Sequence, residues 1–231
     1  MNDSFMGKIG KLISMLSTAV LMNACFLVCC LPVVTIGPAW CGLMSAIRYN
    51  VRGEKWFEGF KIGFKTRFLR SLLIGIAAGV FLFITMMDAL ANFTVYMGGQ
   101  STALMPTIMS FLVFAMVSML LQSLLTLNVY IHTEAGVWLR NGVDIIRKAP
   151  LQVLLSGVLP WVPVFLALIL PDLFMQIFVV WICIYFALCA LGTTMLLKDA
   201  LLLKLVESRA NGTLLSEEGR IVEKEEEEEN V

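Results

Sequence analysis

The residues that could do chemistry in this 231-residue chain are few and scattered. His132 is the only histidine and has Glu134 two residues on, a pair that could act as general acid and base. A lone imidazole closing an apolar run reads instead as a locally satisfied interfacial residue. Six cysteines (Cys25, Cys29, Cys30, Cys41, Cys183 and Cys189) all lie in apolar stretches, with no C-x-x-C pair. Cys25 and Cys29 share a helix face, but soft-metal sites need more ligands at characteristic spacings. The thiols read as small packing groups. No Ser/His/Asp set, H-E-x-x-H or phosphate-cradling glycine loop occurs. The chain is expected not to be an enzyme, to need no cofactor or metal, and to bind no nucleic acid.

Polar groups inside apolar stretches carry the next signal, because the bilayer makes each of them costly. Ser118, Gln122 and Thr126 recur every four residues, with Asn128 nearby. Such a stripe hydrogen-bonds across helices or lines a polar path for a solute. Asp88, with Asn92 one turn on, falls near a span's far end and reads as an interfacial cap. Gly75 and Gly79 form a GxxxG that permits close helix packing, within one chain or between two copies. Between Arg48 and Arg70, Trp56, Phe57, Phe60, Phe64 and Phe68 follow helical spacing, interleaved with Lys61, Lys65, Arg67 and Arg70. That pattern predicts an amphipathic helix over about 54–69, its aromatic face in lipid and its cations toward anionic headgroups. Covering the cytoplasmic ends of the bundle, or docking a partner protein, would use the same pattern.

The elements that position these residues follow from composition. The chain is 59% hydrophobic and 15% charged, with a mean hydropathy of +0.86, too apolar for an ordinary soluble domain. Uncharged stretches lie between Lys11 and Arg48, Arg70 and Asp88, Asp88 and His132, Lys148 and Asp172, and Asp172 and Lys198. A spanning helix needs roughly 20 apolar residues. The predicted segments are 12–31, 36–50, 71–94, 107–131, 151–170 and 173–197, the second short or re-entrant. Pro160 and Pro163 should kink the fifth, and Pro171-Asp172 should close a tight hairpin before the sixth.

Charge sets the orientation. The formal net charge is zero, yet residues 1–216 carry 15 basic and 9 acidic side chains while the last fifteen residues carry 8 acidic and 2 basic ones. The basic residues cluster in 48–70, 132–150, the N-terminus and the region from Lys198 onward. The positive-inside rule then puts both termini in the cytoplasm, with only Asp88 and Asp172 outside. A five-span arrangement would strand Lys8 and Lys11 on the far side. The initial apolar run is too long for a cleaved signal peptide and continues into more membrane sequence. The expected organisation is an all-α, polytopic membrane helix bundle over 1–209, followed by an acidic, disordered cytoplasmic tail over 210–231 with five consecutive glutamates.

One stretch has a family character. Leu31-Pro32-Val33-Val34-Thr35-Ile36-Gly37-Pro38, followed by Val51-Arg52-Gly53-Glu54 and then Phe57, Gly59-Phe60 and Phe64, resembles the YesL-like family of bacterial membrane proteins (domain of unknown function 624). The resemblance implies a multi-pass protein of a bacterial cytoplasmic membrane, from a family often encoded beside carbohydrate uptake systems of the ATP-binding-cassette kind. It implies no catalytic or ligand residues. The conspicuous segment reads as an outer turn, in which Pro32 and Pro38 fix φ, Gly37 permits the bend and Thr35 caps the following helix.

Three function classes come into question, of which an intramembrane enzyme lacks its chemistry in this sequence. The loop order of the two halves is a palindrome, not the inverted repeat of secondary transporters. The expected role is a non-catalytic accessory or scaffold protein associated with carbohydrate uptake, touching lipid and subunits of such a transporter. The alternative is a small transporter or channel component acting as a homo-oligomer.

Overall fold

The computed structural model describes residues 3–213, with side chains outside 3–15, 168, 169 and 180; the expected acidic tail lies outside them from residue 214. Among the described residues the chain is helical throughout, without strands. Four helices are long and apolar enough to cross a membrane: Phe68–Met97, Ser101–Tyr130, Pro150–Ala167 and Trp181–Ala210. They overlap the last four predicted segments, because a charge-free run must form a helix to satisfy its own backbone in lipid, whereas Leu16–Cys30 is a shorter apolar helix.

The N-terminal half begins with α1 (Asp3–Cys30), a 3-10 turn (Val33–Thr35) and α2 (Ile36–Val51). It continues through the short α3 (Trp56–Lys65) into the long α4 (Phe68–Met97). Helix α2 is the core of this half, buried from Gly37 to Ile47. Its Gly37, Ala39, Cys41, Gly42, Ser45 and Ala46 are small, so α1, α3, α4, α5 and α10 all approach it closely. Between α3 and α4 the chain turns at Arg67, a non-glycine residue at φ 51°.

A turn at Gly98-Gly99, with Gly99 at φ 94°, leads into α5 (Leu104–Tyr130), which packs along α4. Leu82, Met86 and Phe114 form their shared core, with the rings of Trp161 and Phe165 set edge-on to Phe114. Then come α6 (Ala135–Lys148) and α7 (Pro150–Val158). A 3-10 turn at Leu159–Trp161 separates α7 from α8 (Val162–Ile169), which is the break expected from Pro160 and Pro163. The expected hairpin at Pro171-Asp172 differs. The chain turns at Leu170 alone, and Pro171 and Asp172 already form the first turn of α9 (Pro171–Val180), where a proline lacks no needed donor.

A π-helical turn, Trp181–Tyr185, joins α9 to α10 (Phe186–Ala210). Asn23 of α1 inserts here, its amide donating to the Ile182 carbonyl and accepting from the Ala187 N–H at 3.1 Å. Helix α10 runs thirteen residues past the predicted end of the last segment. Lys204 explains the extension, pairing with Asp144 of α6 and with Glu207, both at 2.9 Å. Lys148 closes the cluster on Glu207 at 3.2 Å.

Thr35 behaves differently from expectation. Its hydroxyl donates backward to the carbonyls of Cys29 and Pro32, the latter at 2.6 Å, so it fastens the end of α1 instead of capping α2. The turn packs against the first part of α4. Gly37 lies against the Ser71 carbonyl and Gly75, and the 3-10 turn packs on α4. From Gly75 to Met97 another 22 residues of α4 follow, about 33 Å of helix. The turn therefore sits part-way along α4, well short of the level of Gly98.

Candidate functional site

The α1–α3 unit is built on glycines. A Cβ at Gly63 would strike the Ser45 side chain and stand 2.7 Å from the Cys41 carbonyl, and one at Gly59 would meet the Tyr49 ring at 2.6 Å. These contacts pull α3 onto α2, so the predicted amphipathic helix is part of the bundle and not a free surface helix. Phe60 is 4% exposed inside the core beside Gly42, whereas Phe57 is 46% exposed. Phe60, Phe64 and Phe68 form a ladder with ring centroids 6.2 and 5.4 Å apart. Lys61 holds its ammonium 4.5 Å from the centre of the Phe57 ring. Trp56, Phe57, Lys61, Phe64 and Lys65 border an apolar groove of about 470 Å3, whose other wall is Leu21, Cys25 and Val28 of α1.

Gly75 and Gly79 part company. Gly75 meets Gly37, so residues from two separate sequence features form one helix crossing. Gly79 faces open space, with nothing within 4 Å of an added Cβ.

The polar stripe is buried. Gln122 donates to the Thr193 hydroxyl of α10 at 3.2 Å, and Thr126 donates to the Gln122 carbonyl at 2.7 Å. Ser118 is buried at the α5–α7 contact, where the Gly157 position reaches its backbone. Asp88 accepts from Ser110 of α5, and Asn92 turns back to the Asp88 carbonyl at 3.0 Å. His132 and Glu134 are not brought to one site: His132 lines a cavity with Arg48, and Glu134 borders a separate hollow with Arg67 and Arg70. Among the described residues no three His, Cys, Asp or Glu side chains group as a metal site, and the six cysteines carry no disulfide.

Sequence reasoning missed how the arginines are used. Arg48 donates to the Val129 carbonyl at 3.2 Å, and Arg67 and Arg70 both donate to that of Thr133, at 2.6 and 3.2 Å. Arg70 also lies 4.8 Å over the Trp138 ring. Burial, with the nearby Arg70 charge, pushes the Arg67 guanidinium below its ordinary value. Three cations thus gather at the end of α5, one on its Val129 carbonyl and two on the Thr133 carbonyl just past it, where a helix C-terminus attracts positive charge. The count of basic residues in 48–70 marked them as a class but not as anchors. Asn23 was missed too; its signal was a single amide within a long charge-free run.

These glycine contacts and this first turn lie within the stretch that a family comparison picks out. Residues 19–89 match the model of a family described as protein of unknown function, DUF624. The matched segment is similar to that family over less than half of the chain. That segment holds most of α1, all of α2 and α3, and α4 as far as Ala89, so Gly37, Gly59, Gly63 and Gly75 all belong to it. No curated protein and no solved structure matches the chain.

Proposed function

We propose that this membrane helical protein is a non-catalytic accessory or scaffold subunit of a carbohydrate uptake system, docking through its DUF624 segment. The observation that carries this reading is the groove between α1 and α3. It presents Trp56, Phe57 and Phe64 with Lys61 and Lys65 along one edge, on a helix locked in place from behind by Gly59 and Gly63. A rigid aromatic face rimmed by cations suits recognition of another membrane subunit. Gln122 and Thr126 spend their hydrogen bonds within the bundle, which favours this role over the alternative of an oligomeric transporter or channel.

In the proposed arrangement both termini are cytoplasmic, in a bacterial cell membrane, and α1 and α2 form a re-entrant hairpin. Exposed Leu31, Val33, Val34 and Ile36 at the turn suit hydrocarbon, and the turn's position part-way along α4 agrees. A hairpin that returns to its own side keeps the even number of crossings that the basic loops require.

Co-purification in mild detergent tests the docking role. Deleting 54–70 would remove the Gly59 and Gly63 contacts, so the better variant is Phe57→Ser with Lys61→Glu and Lys65→Glu. Transporter subunits should accompany the parent chain and be lost from the variant. Recovery of the chain alone from both would overturn the reading, and solute flux from proteoliposomes holding only this chain would favour the alternative.

A further inference from the structure

Arg67 and Arg70 border one hollow of about 660 Å3 between α4 and α6. Both guanidinia donate to a single acceptor, the Thr133 carbonyl, through one nitrogen each. A guanidinium carries five N–H donors, so most of theirs are left over. No carboxylate pairs with either one among the described residues, and the two charges repel each other. Two further features mark the place. Arg67 holds φ 51°, a left-handed conformation that glycine takes freely and arginine takes at a cost. Thr133 also borders the hollow, is 1% exposed, and its hydroxyl has no hydrogen-bond partner.

The rest of the lining says which ligand fits. Glu134 borders the same hollow, is exposed, and forms no ion pair with Arg67 or Arg70 among the described residues. Its side chain does not cap α6 either. The hollow thus offers a cationic pair and a separate carboxylate, which suit a head carrying both a phosphate and an ammonium. A purely anionic head would meet repulsion from Glu134. The Trp138 ring is buried and lies under the Arg70 guanidinium at 4.8 Å, so it is not an open face for a quaternary ammonium. A primary ammonium can instead donate to the carboxylate. Leu69 and Leu73 complete the wall as exposed residues one turn apart, and exposed Ile76 and Val80 continue the same face of α4. Arg67 and Arg70 flank the start of Phe68–Met97, a helix long and apolar enough to cross a membrane, which is the level of phospholipid headgroups.

We propose that Arg67, Arg70 and Glu134 form a binding site for a phospholipid whose head carries a phosphate and a primary ammonium, as in phosphatidylethanolamine. The phosphate lies between the two arginines, the ammonium donates to Glu134, and one acyl chain follows Leu69 and Leu73 along α4. The site shares no lining residue with the α1–α3 groove and does not rest on the accessory role.

The test uses the full chain, delipidated in detergent and offered phosphatidylethanolamine, phosphatidylglycerol or phosphatidylcholine of one acyl composition, with retained lipid read by native mass spectrometry. The parent should retain phosphatidylethanolamine most. Arg67→Gly removes a guanidinium while suiting the positive φ, and should retain that lipid about tenfold less. Glu134→Gln should abolish the preference over phosphatidylglycerol. Glu134 is exposed, so this variant keeps the test readable if Arg67→Gly lowers stability. Glu54→Gln, at an exposed carboxylate outside the hollow, should behave as the parent. Soluble phosphoethanolamine at the same concentration should not displace the lipid. Retention of either other lipid at the same level by the parent, or a preference unchanged by Glu134→Gln, would overturn the proposal. So would an equal loss in Glu54→Gln, or displacement by phosphoethanolamine, which would make the ligand a free phosphate ester.

Discussion

At the residue scale, glycines and one asparagine carry the most specific information. Gly63 allows α3 to lie against Ser45 and the Cys41 backbone, and its would-be Cβ meets backbone as well as side chain. Overpacking of this kind costs about 1–3 kcal/mol or more. Gly63→Val is therefore expected to lower the thermal unfolding temperature in detergent strongly, whereas Gly79→Val, facing open space, should leave it near the parent's. Equal effects of the two would contradict the α2–α3 packing. Asn23 supplies both partners that the π-turn leaves open, at Ile182 and Ala187. Each such bond in a membrane bundle contributes about 0.6 kcal/mol and at most about 1.7 kcal/mol. Asn23→Leu should destabilise by roughly 1–3 kcal/mol, and a neutral result in a denaturation series would remove Asn23 from that role.

At the element scale, the first hairpin sets this chain apart from a simple up-down bundle. Its apolar turn is exposed, with Val33 at 74%, yet it packs part-way along α4. In the proposed re-entrant arrangement the turn must satisfy its own backbone in hydrocarbon, which the 3-10 bonds and Thr35 help to do. In a background without native cysteines, a membrane-impermeant maleimide applied from outside should label Gln100→Cys and leave Val33→Cys unlabelled. Labelling of both would mean that the turn reaches the outer surface and that α1 and α2 fully cross. Elements were otherwise readable: uncharged length marked α4, α5, α7–α8 and α9–α10, and the prolines marked the break at Leu159–Trp161. What spacing did not give was that α3 is clamped to α2, because its aromatic pattern draws the eye while Gly59 and Gly63 between the aromatics decide the packing.

At the scale of the whole molecule, charge clusters fasten the ends that apolar packing leaves loose. Lys204 holds Asp144 of α6 and Glu207 of its own helix, with Lys148 on the far side. Breaking a partly buried cluster leaves its remaining charges uncompensated. Lys204→Met should lower the unfolding temperature, and adding Asp144→Asn should recover part of the loss. No recovery in the double variant would show that the loss does not come from an uncompensated Asp144. Likewise Arg48, Arg67 and Arg70 tie the start of the chain's second half to α2 and α4 through the carbonyls of Val129 and Thr133.

Sequence alone determined the solvent and the helical class, because apolar content and uncharged length act through transfer energies that need no partner. It also determined that Ser118, Gln122 and Thr126 share one face, since helical period is a local property. Tertiary structure decided which of those faces meet. Gly37 finds Gly75, Gln122 finds Thr193, Asn23 finds the π-turn, and Arg48 finds the end of α5 across 81 residues. Such pairings depend on which small residues let two backbones close, and that choice is made only when all the helices compete for the same space.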